Sequence, residues 1–274
     1  MIQLGLIGYP LGHSLSPKIH AAALKACDLA GNYSLFPIHP EDTQALKDLL
    51  ARVRSGEITG LNVTIPHKQN VIELMDELTP TARAIGAVNT IYMKHEKLIG
   101  DNTDAQGFLS DLKKYIGNQE LGIRKSALVL GAGGSARAIV YALLNDYWNV
   151  TITARRIEQA QELAMQFKNT SAMELNFQTF KPSTFNLFVN TTPVGMTPNI
   201  NQSPLPEKLS LPSNTFIYDL VYNPCETKLV KDAHAQGLNA ATGLGMLIEQ
   251  AALAFELWTG CNPPRNLLYN SVVE

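Results

Sequence analysis

Residues 126–136 read Ser126-Ala127-Leu128-Val129-Leu130-Gly131-Ala132-Gly133-Gly134-Ser135-Ala136, and an alanine-rich segment of helical period follows. A short apolar run that ends on a glycine cluster and feeds a helix is the opening of a βαβ unit with a buried parallel strand. In this G-x-G-x-x-A pattern Gly131 allows a tight turn, Gly133 lets the backbone approach a pyrophosphate, and Ala136 keeps helix and strand close. Alone the pattern is weak. The strand before it and the helix after it make dinucleotide binding the better reading, with Ala132, Gly134 and Ser135 completing the loop.

Downstream the alternation continues: a strand over Asn149–Thr153, a helix to Phe167, and strands over Leu187–Asn190 and Phe216–Leu220. The end of the second strand selects the dinucleotide, because an acid there holds a ribose 2′-hydroxyl whereas a 2′-phosphate needs cations. The chain carries Thr153-Ala154-Arg155-Arg156. Two guanidinium groups favour NADP(H), since a charge-assisted hydrogen bond contributes about 1.5 to 3 kcal/mol. Solvated arginines at a helix start are the bland alternative, although cations there oppose the helix dipole.

Upstream, the pattern predicts strands over Gln3–Ile7, Ser34–Ile38 and Leu61–Ile65. It also predicts a helix from Pro17 with Ser16 as cap and Gly31 as stop, and a second helix over Glu41–Arg54. Residues 88–100 read as a strand pair, and Asp104 opens a helix toward Tyr115. The apolar segment from Leu244 to Trp258 reads as a long helix with one amide, Gln250, whose burial calls for a partner. The fold class is α/β in two domains, with the crossing near Asn102 and a Rossmann-like half after it.

Composition narrows the function classes. With 45% hydrophobic and 17% charged residues the chain is globular, and a formal charge of -2 offers no basic face for nucleic acid. No apolar stretch is long and charge-free enough for a membrane span, and the first residues lack the pattern of a signal peptide. A small-molecule partner is therefore expected. Three cysteines, Cys27, Cys225 and Cys261, form no CxxC pair and have no metal-ligand spacing to histidine. That argues against a disulfide framework and a zinc site, for a reducing cytoplasm, and for His13, His20 and His67 as structural rather than metal-binding. A monomer and a homodimer both suit the design.

Asn62-Val63-Thr64-Ile65-Pro66-His67-Lys68 puts polar groups directly after a strand, where clefts usually lie. On residue type alone Lys68 is equally a surface lysine, and Asp104 equally a helix cap.

These residues nonetheless carry a resemblance to the shikimate dehydrogenase family. It spans Gly8-Tyr9-Pro10, His13-Ser14-Leu15-Ser16-Pro17, Asn62 to Lys68, Ala87-Val88-Asn89-Thr90 and Gly100-Asp101-Asn102-Thr103-Asp104. It continues through the glycine loop, Asn190-Thr191-Thr192-Pro193-Val194-Gly195-Met196, Tyr218-Asp219-Leu220-Val221-Tyr222-Asn223-Pro224 and Gly243-Leu244-Gly245-Met246-Leu247 to Gln250. The resemblance implies that Ser14 and Ser16 hold a substrate carboxylate, while Asn62, Thr64, Asn89, Asp104, Tyr222 and Gln250 line its ring and hydroxyls. It implies Lys68 and Asp104 as the catalytic pair, and Thr191, Val221, Gly243 and Met246 as cofactor contacts beside the glycine loop, Arg155 and Arg156. The terminal helix is implied to fold back on the first domain, so that an N-terminal substrate-binding unit over residues 1–102 is completed by 243–274, beside a Rossmann-like NADP-binding unit over 103–242. The implied reaction is NADP(H)-dependent interconversion of 3-dehydroshikimate and shikimate, in aromatic amino-acid biosynthesis. A quinate/shikimate dehydrogenase of broader range is the alternative. A non-catalytic NADPH-binding regulator and a folate-type dehydrogenase fit the polar residues less well. One departure stands out, since the family's Asn-Arg-Thr after the second strand is Ala154-Arg155-Arg156 here.

Overall fold

The structure is a computed structural model that describes residues 1–117, 125–176, 180–207 and 209–273. The chain divides into two compact units, residues 1–107 with 247–274, and residues 108–246.

The first unit contains β1 (Ile2–Gly8), α1 (Ser16–Ala26), β2 (Gly31–Pro37), α2 (Thr43–Arg54), β3 (Gly60–Val63), β4 (Glu77–Leu78), α3 (Pro80–Ile85), β5 (Thr90–Lys94) and β6 (Lys97–Asp101). The start of α4 (Asp104–Ile116) belongs to it as well. Its sheet runs β2-β1-β3-β5-β6-β4. β1 pairs in parallel with β2 and β3, as a βαβ reading predicts, but β5 is antiparallel to both β3 and β6. The sheet is therefore mixed on this half, and residues 88–100 form the strand pair that the sequence suggests. The reason is local: His95 and Glu96, with φ of 49° and 61°, form a two-residue turn of the kind that closes a twisted hairpin.

Two helix starts also differ from the sequence reading. Ser16 is the first residue of α1 rather than its cap, because Ser14 Oγ already accepts the Ser16 N–H at 3.2 Å. Gly31 begins β2 instead of stopping α1; Asp28, at φ 53°, ends the helix. In α2 the Asp42 carboxylate accepts the Ala45 N–H at 3.0 Å, which moves the start to Thr43. Leu46, Leu49, Leu50 and Val53 recur on one face of α2 and pack on Ile7, Leu61, Val63, Ile91 and Leu98 of the sheet. Burying each such side chain contributes about 1.5–3 kcal/mol.

The chain returns to the first unit along α8 (Leu244–Thr259) and ends in α9 (Arg265–Val273). α9 packs on α1. Trp258 of α8 donates its indole N–H to the Ile91 carbonyl at 3.2 Å, and Gly60 makes the room, since a Cβ there would lie 2.3 Å from the indole. Cys27, just past α1, is joined by a disulfide to Cys261, just past α8, with Cα atoms 6.4 Å apart. This corrects the expectation of unpaired cysteines. Spacing along the chain carries no information about partners 234 residues apart. Cys225 is free and exposed.

The second unit holds the remainder of α4, then β7 (Ser126–Leu130), α5 (Gly134–Asn145), β8 (Asn149–Thr153), α6 (Ile157–Gln166), β9 (Thr170–Ala172), β10 (Leu187–Asn190), β11 (Phe216–Asp219), α7 (Lys228–Ala235) and β12 (Asn239–Thr242). Its six strands are parallel in the order β12-β11-β10-β7-β8-β9. From β7 the chain winds outward one way through β8 and β9, and the other way through β10, β11 and β12. The order therefore reverses between β7 and β10, the position at which open α/β sheets bind nucleotides beyond the carboxyl ends of their strands. Among the described residues no helix is long and apolar enough to cross a membrane.

Candidate active site

The site in the first unit is built on the exit of β3. Thr64 donates its N–H to the Ile7 carbonyl at 2.8 Å, and the buried His67 donates from Nε2 to the Ile38 carbonyl at 2.8 Å. These bonds fix the segment that carries Lys68. Its ammonium lies 2.6 Å from Asp104 Oδ2, and the two side chains are only 11% and 6% exposed. Lys68 is therefore not the surface lysine that residue type alone allowed.

Asp104 is not the cap of α4. Asn102 Oδ1 accepts the N–H of Asp104 at 3.1 Å and of Ala105 at 3.4 Å, and its amide donates to the Ala87 carbonyl at 3.0 Å. With Asn102 capping, the Asp104 carboxylate stands in the first turn, where the helix dipole favours negative charge. Its second oxygen accepts from Asn89 Nδ2 at 2.9 Å.

Asn89 joins the group together. Its Oδ1 accepts the Thr103 N–H at 2.8 Å and the Thr90 hydroxyl at 2.9 Å. Its Nδ2 meets three acceptors, Asp104 Oδ1, Thr103 Oγ1 at 3.0 Å and Gln250 Oε1 at 3.3 Å. The amide in α8 that demanded a partner thus has one, and its own Nε2 donates to the Leu247 carbonyl at 2.9 Å. Gly107 permits this approach of α4 to α8, since a Cβ there would lie 2.8 Å from Gln250. Asn62 joins the same network by donating from Nδ2 to the Asn89 carbonyl at 3.3 Å. Lys68, Asp104, Asn89, Gln250 and Asn62 are thereby one hydrogen-bonded group.

Ser14 stands in the loop between β1 and α1, and Ser16 opens α1. That loop is tied to the β3 exit by the Tyr9 N–H, which donates to the Ile65 carbonyl at 2.9 Å, and by Gly8, against which Thr64 packs. Ser16 is buried and Ser14 half-buried.

Behind this group His20 is fully buried, its ring stacked 4.3 Å from Tyr33 at an interplanar angle of 3°. Burial pushes its pKa down to about 3, with the Asn62 side chain only partly opposing. An unfolded histidine titrates near 6.5, so between 6.5 and about 3 the unfolded chain holds the extra proton. Stability is then complete above 6.5 and is lost as pH falls through that window. We expect His20 to cost about 2 kcal/mol of stability at pH 5 relative to pH 7. Thermal melts of the protein and of His20→Phe between these pH values check this; equal pH slopes for both refute it.

In the second unit the predicted cofactor residues all lie beyond the carboxyl ends of the parallel strands. Gly131, at φ 114°, donates its N–H to the Thr153 carbonyl at 2.7 Å, and a Cβ on it would lie 2.4 Å from Thr191 Oγ1. Thr191 in turn donates that hydroxyl to the Leu130 carbonyl at 2.7 Å. Ala132 lies in this turn, Gly133 precedes α5 with open space where a Cβ would be, Gly134 and Ser135 form the first turn of α5, and Ala136 is buried. A pyrophosphate fits such a cradle of backbone N–H groups at a helix start. Arg155 and Arg156 are exposed between β8 and α6, as a 2′-phosphate requires. Val221 is buried after β11, and Gly243 and Met246 lie at the end of β12 and the start of α8. Tyr222 also belongs to this unit, half-buried, and burial raises its phenol pKa.

Some supporting residues escaped the sequence reading. Asp219, fully buried, accepts from Asn190 Nδ2 at 2.8 Å, Thr227 Oγ1 at 2.6 Å and the Val221 N–H at 3.1 Å. Burial nevertheless pushes its pKa up to about 6, against those three donors. The network links the turns that carry Thr191 and Val221. Asn102 was legible in principle, because an Asn two residues before an acidic helix start is a capping signal.

Three family models match the chain in succession: "Shikimate dehydrogenase substrate binding domain" over residues 6–91, "Shikimate / quinate 5-dehydrogenase" over 112–189, and "Shikimate 5'-dehydrogenase C-terminal domain" over 243–272. A shikimate dehydrogenase (NADP(+)) of Carboxydothermus hydrogenoformans is 40% identical over 98% of this chain and 95% of its own. A crystal structure of a shikimate dehydrogenase in complex with NADP+ superposes with a TM-score of 0.89 at 36% identity, covering 100% of this chain and 95% of that one. The shikimate 5-dehydrogenase of Thermus thermophilus, in complex with NADP(H) and shikimate, gives 0.87 at 38%, covering 99% and 98%. With identity of this degree along both units and the glycine loop, paired Lys68–Asp104 and Gln250 all in place, the chain belongs to the shikimate dehydrogenase family.

Proposed function

We propose that the protein catalyses the reversible NADP(H)-dependent interconversion of 3-dehydroshikimate and shikimate. The observation that carries this reading is the buried Lys68–Asp104 pair, bonded through Asn89 to Gln250 and Asn62. A cation beside a carboxylate, ringed by amides, suits a polyhydroxylated ring with a carbonyl to be reduced.

When bound, the nicotinamide supplies the hydride exchange at the ring carbon that bears the reacting oxygen. Gly131, Ala132, Gly133, Gly134, Ser135 and Ala136 would hold the pyrophosphate, with Arg155 and Arg156 on the 2′-phosphate and Thr191, Val221, Gly243 and Met246 around the remainder. Ser14 and Ser16 bind the substrate carboxylate through their hydroxyls. Asn62, Thr64, Asn89, Tyr222 and Gln250 bind its ring hydroxyls. Lys68 stabilises the negative charge that develops on the reacting oxygen and gives it a proton from Nζ. Asp104 holds the ammonium in place and accepts from a substrate hydroxyl. Its anchoring by Asn89 and Asn102 pre-orients that carboxylate, so little reorganisation accompanies the proton transfer.

We further infer that the enzyme works in the cytoplasm, where NADPH is made and used, as a monomer or homodimer. The Cys27–Cys261 disulfide runs against a reducing compartment. Initial rates at 340 nm with shikimate or quinate, each paired with NADP or NAD, test the proposal. Shikimate turnover with NADP far above the other pairings is expected. Comparable quinate turnover moves the enzyme to the broader quinate/shikimate class, and no turnover in any pairing refutes catalysis.

A further inference from the structure

Tyr33 lies on β2 and has no part in the reaction described above. Its hydroxyl nevertheless donates to Asn62 Oδ1 at 2.8 Å. The ring that carries this hydroxyl is stacked on the fully buried His20, which is backed by Trp258 at 5.4 Å and Phe255 at 6.1 Å. Helices from both ends of the chain thus hold one phenol in a fixed pose behind the β3 exit.

The consequence concerns which way the Asn62 amide faces. An amide offers two acceptor sites on oxygen and two hydrogens on nitrogen, and a half-turn exchanges them. Here the oxygen takes the Tyr33 proton and the nitrogen donates to the Asn89 carbonyl. After a half-turn the Asn62 oxygen would face the Asn89 carbonyl oxygen at about the same 3.3 Å, acceptor against acceptor. The Asn89 carbonyl, which can only accept, therefore sets which way the amide faces, and the Tyr33 hydroxyl, with its proton turned to Asn62 Oδ1, holds it there with one N–H on Asn89 and its second N–H as the group it can offer a ligand.

We propose that Tyr33 is a positioning residue that presents Asn62 to the substrate as a hydrogen-bond donor, and so selects an oxygen acceptor on the ring at that point. The inference rests on the reading of Asn62 as a substrate ligand. It assigns Tyr33 and the aromatic stack beneath it to substrate specificity rather than to packing alone.

The test is a double-mutant cycle on Tyr33→Phe and Asn62→Ala, read by KM and kcat for shikimate, KM for NADP and thermal melting. Tyr33→Phe keeps the ring on His20 and removes the hydroxyl. We expect it to raise KM for shikimate about 2- to 12-fold, the equivalent of one neutral hydrogen bond, with kcat and KM for NADP within about twofold. In the Asn62→Ala background the same change should have no further effect on KM. An unchanged KM in Tyr33→Phe, with Asn62→Ala impaired, overturns the positioning role alone. An equal rise in both backgrounds also overturns it and leaves only packing. An unimpaired Asn62→Ala refutes the ligand reading of Asn62, and the positioning role with it.

Discussion

Lys68→Ala should lower kcat by about 10²- to 10⁴-fold in both directions while leaving KM for shikimate much less affected. The size follows from what the lysine does, since a positioned proton donor acts in the transition state and contributes little to ground-state binding. A complication arises from the burial of its partner. With Lys68 gone, the Asp104 side chain, 6% exposed, is left with the Asn89 amide and the helix start as partners among the described residues. Breaking a buried pair from one side costs about 3–5 kcal/mol, so the variant should also melt at lower temperature. Rate loss and stability loss can be separated by adding Asp104→Ala. The double variant removes both charges and should recover part of the melting temperature without recovering kcat. Lys68→Ala with near-normal kcat would end its role as proton donor. A kcat that recovers together with the melting temperature in the double variant would mean that the original loss was one of folding.

The elements that could be read directly are those whose signal is local. The β7–glycine loop–α5 unit is legible because buried strand, turn and helix start follow one another within a few residues, and Arg155-Arg156 is legible because the strand before it is. The site of the first unit is different. Lys68 and Asp104 are 36 residues apart, and β4, α3 and the β5–β6 hairpin lie between them before the fold brings the ammonium to the carboxylate. Neither residue type signals this, and the family resemblance rather than the spacing pointed to the pair. The misreadings have the same origin. Ser16 looked like a cap because it precedes Pro17, yet Ser14 had already taken its N–H; Asp104 looked like a cap while Asn102 did the capping. Cys27–Cys261 and Tyr33–Asn62 are long-range contacts for which the sequence offers no periodicity and no motif.

Replacing Arg155 and Arg156 together by alanine should lower kcat/KM for NADP by about 10- to 150-fold and leave kcat/KM for NAD within about twofold. Both arginines are exposed where β8 leads into α6, Arg156 directly before the helix, and the negative charge that the α6 dipole favours is already supplied by Glu158 in its first turn. Two cations at this end weaken the helix slightly, which makes local stability a poor reason for their presence and a 2′-phosphate a better one. Ala154 has no polar side chain to offer, so the discrimination falls on charge rather than on a shaped set of hydrogen bonds. That makes it sensitive to salt: at an ionic strength of about 1 M the screening length is roughly 3 Å, and the NADP advantage of the unmodified enzyme should shrink while NAD kinetics barely move. The single variants divide the effect. If one guanidinium makes the bidentate contact, its loss should account for most of the change and the other for a small, salt-dependent remainder. An unaltered ratio of NADP to NAD efficiency in the double variant would show that the phosphate is held by other groups and that Arg155 and Arg156 are solvated charges.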